Sequence, residues 1–213
     1  SVVDGIVEEY NNGDVDLHQM AADLAGISRK EAKVVNLGIM YGMGVGKLSN
    51  QLDIAKEEAK DILELYNDKV PFVKQLANMA SQRAESQGQI RTILGRKCRF
   101  HLWEPRTFGY NKALPLEDAK KEYGGLGMLR RAFTYKALNK LIQGSAADQT
   151  KKAMVDCYAE KLLPMLTVHD ELCFSVESQE QAKRITEIME TGLPLNVPTK
   201  VDCELGDNWG EAG

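Results

Sequence analysis

Arg29, Lys33, Leu37 and Tyr41 recur at intervals of four residues. On a helix each such step turns about 400°, so the four share one slowly drifting stripe about 18 Å long. The two cations fall in the first turns, where unpaired backbone amides and the helix dipole also attract anions. Cations at that end oppose the dipole and are poor choices for stability alone. A polyphosphate near Arg29 and Lys33, with sugar and base further along towards Tyr41, fits a nucleotide lying along the helix. The competing reading is a solvated stripe whose tyrosine belongs to the core.

A second group with chemical potential is Val168-His169-Asp170-Glu171. Two adjacent carboxylates among Leu166, Val168, Leu172 and Phe174 cost several kcal/mol to bury unless they are paired. A divalent cation removes that cost, and Mg²⁺ prefers oxygen ligands. Neighbouring strand residues point to opposite faces, so Asp170 and Glu171 act together only with a turn between them. The competing reading is an exposed hairpin tip. Asn139 and Gln143 lie one helical turn apart, beside Lys136 and Lys140. Their amides can donate to minor-groove acceptors, which differ little between base pairs, so they suit a protein that holds DNA without reading it. Gly42-Met43-Gly44-Val45-Gly46-Lys47 is not a phosphate loop. The Walker pattern needs glycine where Tyr41 stands and Ser or Thr where Leu48 stands.

These residues need elements to carry them. Ser28 and Glu31 have capping-box spacing and predict a helix from about 28 to 41, ended by Gly42, Gly44 and Gly46. Before it, helix is expected to about Gly26, with a break at Asn11-Asn12-Gly13. Further helices are expected from Lys56 to about Tyr66 and from Val70 to about Gln87. Arg91–Leu94 reads as a short strand closed by Gly95, and residues 101–127 as a long, partly irregular connection. A long helix from Leu138 to about Leu163 precedes a hairpin over Leu166–Val176 with acids at its tip. A charged helix over Gln179–Thr191 and a last strand over Lys200–Leu205 complete an α+β chain in two parts.

The chain has 213 residues, a net charge of −4 and four cysteines without a C-x-x-C pair, so a zinc site is not expected. No apolar run approaches the ~20 residues of a membrane span, and Ser1-Val2-Val3-Asp4 does not read as a signal peptide, so a cytoplasmic protein with no membrane partner is expected. The acidic total conceals a division. Arg91–Lys112 holds six bases against Glu104, Leu129–Lys152 six against Asp148, and from Glu160 onward eleven acids face four bases. The two basic segments can track a phosphate backbone whatever the sum.

Together these segments resemble the C-terminal part of the family A DNA polymerases, most closely the phage members. Arg29-x-x-x-Lys33-x-x-x-Leu37-x-x-x-Tyr41-Gly42 resembles the family's nucleotide-binding helix, and Asp14-Val15-Asp16-Leu17-His18 the segment ahead of it. Thr92-Ile93-Leu94-Gly95-Arg96 is similar to a turn in the fingers, and Asn139-x-x-x-Gln143-Gly144-Ser145-Ala146-Ala147-Asp148 to the long palm helix. Val168–Glu171 resembles the metal-binding hairpin, and Gly206-Asp207-Asn208-Trp209 the usual C-terminal ending.

The resemblance implies fingers over residues 1–134, with the nucleotide helix at about 28–41. It implies the C-terminal part of a palm over 135–213, with an antiparallel sheet, a long helix and the metal-binding hairpin at 166–176. By the same resemblance Arg29, His18 and Lys33 hold the dNTP triphosphate, and Lys33 is positioned to protonate pyrophosphate. Leu37 and Tyr41 also belong to the nucleotide site, with Tyr41 and Gly42 near the templating base. Arg96, Asn139, Gln143 and His169 contact primer-template DNA. Asp170 and Glu171 bind catalytic Mg²⁺ in a two-metal site whose other bridging aspartate has no counterpart here. An N-terminal polymerase chain supplying the thumb and the first part of the palm is therefore expected as a partner, with the lone chain inactive. For a phage protein the host cytoplasm is the expected compartment. Leu37 stands where the family usually has Phe or Tyr, and Tyr135 where cellular members commonly have Arg. The alternative is a non-catalytic DNA-binding module that retains the fold.

Overall fold

Ser28 and Glu31 close the capping box that their spacing predicts. This is seen in a computed structural model that describes residues 4, 7–8, 11–13, 16, 18–19, 22–23, 26–41, 43–69, 71–107, 109 and 111–212. The Ser28 backbone N–H donates to Glu31 Oε2 at 2.7 Å, and the Glu31 N–H donates to Ser28 Oγ at 3.3 Å. The Ser28 contacts hold the Glu31 carboxyl below the usual carboxylate range. This reciprocal cap starts α1 (Arg29–Met40).

Beyond Tyr41 the glycines do more than stop a helix. Gly44 is the N-cap of α2 (Val45–Leu52), which ends at Asp53 in the left-handed conformation, φ 56°. This helix is not legible from sequence, since eight residues with Gly46 in the first turn have little helical preference of their own. Packing holds it, because Leu48 is fully buried. Two longer helices follow, α3 (Lys56–Lys69) and α4 (Pro71–Gln87). Pro71 opens α4 at the position where its missing N–H is not needed. Ala32, Val35, Leu48, Ala59 and Tyr66 form the core of this helical group, with Ala22. Burial pushes the Tyr66 phenol above its ordinary pKa.

α4 leads into an antiparallel pair, β1 (Gln89–Arg91) and β2 (Lys97–Arg99), in the register Gln89↔Arg99 and Arg91↔Lys97. The expected strand over Arg91–Leu94 is therefore displaced. The pairing ends at Arg91, and Thr92–Gly95 is the turn, with Gly95 at φ 83°. Residues 101–127 are also more ordered than composition suggests. They contain β3 (Leu102–Pro105), β4 (Leu114–Pro115), α5 (Leu116–Tyr123) and a 3₁₀ turn at Leu126–Met128. With β5 (Leu129–Arg131) the strands form a sheet in the order β4-β3-β5. Pro115 is tolerated because β4 lies at the edge. Arg131 closes this region, with Nη1 donating to Phe100 O at 2.8 Å and its guanidinium 4.5 Å above the Trp103 ring.

The chain forms two units, residues 15–144 and residues 1–14 with 145–213, and the division falls within α6 (Ala137–Ala159). In the second unit α6 is followed by β6 (Pro164–Val168), β7 (Glu171–Phe174) and α7 (Gln179–Thr191). The α6 helix ends four residues earlier than its apolar pattern suggests, closed by Lys161 at φ 63° and by the Leu162 N–H donating to Cys157 O at 2.9 Å. Leu162 and Phe174 pack on the core around Cys157, Ile185 and Ile188. Burial, with Asp156 and Glu160 nearby, raises the Cys157 thiol above its ordinary pKa. Arg184 on α7 bridges Glu160 at 2.6 Å and Glu187 at 2.9 Å. The segment over Lys200–Leu205 is not a strand. The Val201 N–H donates to the Glu190 side chain at 3.1 Å in place of a ladder partner.

The α+β expectation holds, with helices leading and small antiparallel sheets following. Among the described residues, no helix is long and apolar enough to cross a membrane.

Candidate functional site

The capped start of α1 fixes which residues face outward. Ala32, Val35 and Gly38 are buried, whereas Arg29 and Lys33 are exposed, Leu37 is 41% exposed and Tyr41 is 50% exposed. Tyr41 is thus no core residue, and the stripe predicted from spacing is open along its length. Gly42, expected beside it, lies outside the described residues.

The residues ahead of α1 are tied to its polar flank. Asp16 Oδ1 accepts the backbone N–H groups of His18 at 2.9 Å and Gln19 at 3.0 Å. Its Oδ2 accepts Arg29 Nε at 2.6 Å. The Arg29 hydrogen bond and the Gln19 N–H hold the Asp16 carboxyl below the usual carboxylate range, so it is ionised at neutral pH. Two helical turns beyond Arg29, the Asn36 side-chain nitrogen lies 3.0 Å from His18 Nδ1. His18, Arg29 and Lys33 are consequently carried by one local assembly, as a polyphosphate site requires. Asp14, Val15 and Leu17 of the same motif lie outside the described residues.

In the same unit the N-terminal half of α6 meets this stripe. Gln143 Nε2 donates to Tyr41 Oη at 3.1 Å, joining a residue expected at the primer to one expected at the nucleotide. Asn139, one turn earlier, is half-buried. The Thr92–Gly95 turn fixes the helix here. Thr92 is buried, and its Oγ1 accepts the Arg96 N–H at 3.0 Å. Arg96 Nη2 reaches Gly144 O at 2.7 Å. Arg96 therefore braces α6 beside Gln143, a packing role the sequence reading did not include. Lys140 and Lys136 lie over aromatic rings, the first 5.0 Å from Phe100 and the second 5.0 Å from Phe133.

The acidic pair lies in the other unit. Val168 pairs with Glu171, so His169 and Asp170 form a two-residue turn. His169 adopts φ 54°, a conformation in which histidine is over-represented among non-glycine residues. Asp170 sits in the turn and Glu171 at the first position of β7, both exposed. The turn thus holds Asp170, while Glu171 already belongs to the paired strand. The donors are hard oxygens in water, which suits Mg²⁺, an ion commonly held by one or two carboxylates plus substrate phosphates. Among the described residues no group of three or more His, Cys, Asp or Glu converges on a metal position. The two carboxylates fit part of a metal site.

Sequence reasoning named the ladder, the amides and the acids but overlooked Asp16, Asn36 and Thr92 as the groups that hold them. One local signal was available. Asn36 follows Arg29 by seven residues, about 20° short of two full turns, which places it on Arg29's side of the helix.

The family model for DNA polymerase family A matches residues 1–211. A DNA-directed DNA polymerase of Pseudomonas phage M6 is 36% identical over 236 aligned residues, covering 95% of this chain and 32% of its own length. DNA polymerase I of Rhizobium leguminosarum is 31% identical, covering 97% of this chain and 21% of its own. A solved structure, the POL domain of Pol1 from M. smegmatis in complex with DNA primer-template and dNTP, is similar with a TM-score of 0.74. It is 30% identical, over 98% of this chain and 36% of that one. The chain thus spans about a fifth to about a third of the length of these relatives.

Proposed function

Because the chain belongs to DNA polymerase family A, we propose that it carries the nucleotide-binding and metal-binding parts of a template-directed DNA synthesis site. The reaction is in-line attack of a primer 3′ hydroxyl on the α-phosphorus of a dNTP. The observation that carries this reading is the open Arg29–Lys33–Leu37–Tyr41 stripe, hydrogen-bonded through Tyr41 to Gln143. Residues 1–134 serve as fingers and residues 135–213 as the C-terminal part of the palm.

In this reading Arg29 and His18 donate to the triphosphate, and Lys33 neutralises it and gives a proton to the departing pyrophosphate. Leu37 packs against the sugar, while Tyr41 and Gly42 lie at the templating base. Asn139 and Gln143 hold the primer end through the minor groove, with His169 and the backbone near Arg96 assisting. Asp170 and Glu171 supply oxygens to Mg²⁺, which when bound offsets negative charge on the attacking and leaving oxygens. The remaining metal ligands come from outside the described residues. We assign them to a partner polypeptide that supplies the thumb and the first part of the palm.

Primer extension tests this directly. The purified chain with primer-template, dNTP and Mg²⁺ is expected to give no extension, and extension is expected when the partner polypeptide is added. Processive synthesis by the chain alone would disprove the need for a partner. DNA binding without extension in the presence of the partner would favour a non-catalytic DNA-binding module instead.

Leu37 provides a second test. Leucine offers no hydrogen bond near the sugar, whereas the tyrosine hydroxyl of Leu37→Tyr can replace one lost with a missing 3′ hydroxyl. The ratio of 2′,3′-dideoxynucleotide to normal incorporation is expected to rise about tenfold, the effect of a ~1.4 kcal/mol hydrogen bond. Identical ratios for the two proteins would remove Leu37 from the sugar.

A further inference from the structure

We propose that Asn36 is a positioning residue that locks His18 in the tautomer carrying its proton on Nε2. The inference rests on the reading of His18 as a donor to the triphosphate and specifies how the ring is prepared for it. Asn36 borders the exposed stripe of α1, yet it is only 7% exposed, unlike Arg29, Lys33 and Leu37. Its amide nitrogen lies 3.0 Å from His18 Nδ1. With the amide nitrogen facing the ring, Nδ1 accepts and the ring proton sits elsewhere. The neutral ring therefore carries its N–H on Nε2, on the side away from Asn36.

The backbone is fixed independently. Asp16 takes the N–H groups of His18 and Gln19 through Oδ1 and Arg29 Nε through Oδ2. One carboxylate thereby joins the His18 segment to Arg29, and one amide joins the His18 ring to α1 two turns further on. With both contacts in place the imidazole has one orientation and one tautomer. The distinction has chemical consequences. An Nε2–H donates to a phosphate oxygen without the ring being charged, whereas the other tautomer would turn an Nε2 lone pair towards the anion and repel it.

Long-range ¹H–¹⁵N NMR of the full chain at pH about 8.5, where an ordinary imidazole is neutral, reads the tautomer without any nucleotide present. His18 is separated from His101 and His169 by comparison with His18→Gln. The wild type is expected to show His18 protonated on Nε2. In Asn36→Asp the carboxylate can only accept, so the ring proton is expected to move to Nδ1. If that variant does not fold, Asn36→Ala serves, with a mixture of both tautomers expected. An unchanged His18 tautomer in a folded Asn36 variant would overturn the inference. In the primer-extending polymerase, Asn36→Asp is expected to raise KM for dNTP about tenfold, the loss of one hydrogen bond to a charged group, with kcat less affected. A switched tautomer with KM unchanged would leave the lock standing and overturn the role of His18 at the triphosphate.

Discussion

Replacing Asp170 with asparagine is expected to slow nucleotidyl transfer about 10³-fold or more in the assembled polymerase, the equivalent of ~4 kcal/mol of transition-state stabilisation. The size follows from chemistry at the hairpin. Asp170 is exposed in a two-residue turn, and Glu171 is exposed at the start of β7. Neither carboxylate is taken out of water, so their placement serves little in folding. An exposed turn residue is worth within about 0.5 kcal/mol of stability, and asparagine suits turns. A neutral amide, however, is a weak ligand for a hard cation and cancels none of its charge. Single-turnover primer extension across a Mg²⁺ titration, beside a thermal melt, separates the two effects. The expected pattern is an unchanged melting temperature with a large loss in rate. Glu171→Gln should lose less, because Glu171 is held in a paired strand outside the turn that carries Asp170. Equal rates for wild type and Asp170→Asn would remove the hairpin from the reaction.

Gly144→Ala is expected to destabilise the chain by about 1–2 kcal/mol, even though alanine is the better helix former. Two opposing effects set this figure. Relieving a mid-helix glycine gains roughly 0.5–1 kcal/mol, while forcing a methyl into a filled space costs about 1–3 kcal/mol. The second wins here because the obstacle cannot retreat. A Cβ at Gly144 would lie 2.7 Å from Thr92 Cγ2. Thr92 is 5% exposed, and its hydroxyl accepts the Arg96 N–H at 3.0 Å, so the side chain cannot rotate away without breaking its own turn. Urea denaturation should show a lower midpoint with unchanged slope. Thr92→Ser removes the obstructing methyl and keeps the hydroxyl, so the double variant should recover at least 0.5 kcal/mol relative to additivity. A stabilised Gly144→Ala protein would mean that the turn yields. Function should suffer too, since Arg96 holds Gly144 O and Gln143 is the adjoining residue.

The two substitutions mark a difference in what can be read from a linear chain. The turn that carries Asp170 was legible because polar residues interrupt an apolar strand pattern there, and residue types alone mark it. The capping box at Ser28 and Glu31 was legible for a similar reason, since its partners are three residues apart and need no other part of the molecule. Gly144 could be quoted as part of a motif, but the reason it must be glycine lies in Thr92, fifty-two residues earlier and buried against it. The short helix at Val45–Leu52 and the β4-β3-β5 sheet were missed for the same cause. Their own residues have weak or mixed preferences, and packing against distant segments tips the balance. Conversely, Lys200–Leu205 has the composition of a strand but no ladder partner among the described residues, and its Val201 amide turns to Glu190.

By itself, then, the sequence determined the repeating spacings: the stripe from Arg29 to Tyr41, the amides Asn139 and Gln143, and the hairpin with Asp170 and Glu171 at its tip. These depend on a helical period or a strand alternation that each segment carries within itself. Only the tertiary structure decided that Tyr41 is open to solvent and bonded to Gln143. It also decided that Asp16 holds Arg29 and that Asn36 holds the His18 ring. Each is a contact between segments whose separation in sequence carries no period, and each is specified by shape and hydrogen-bond geometry after the chain has folded.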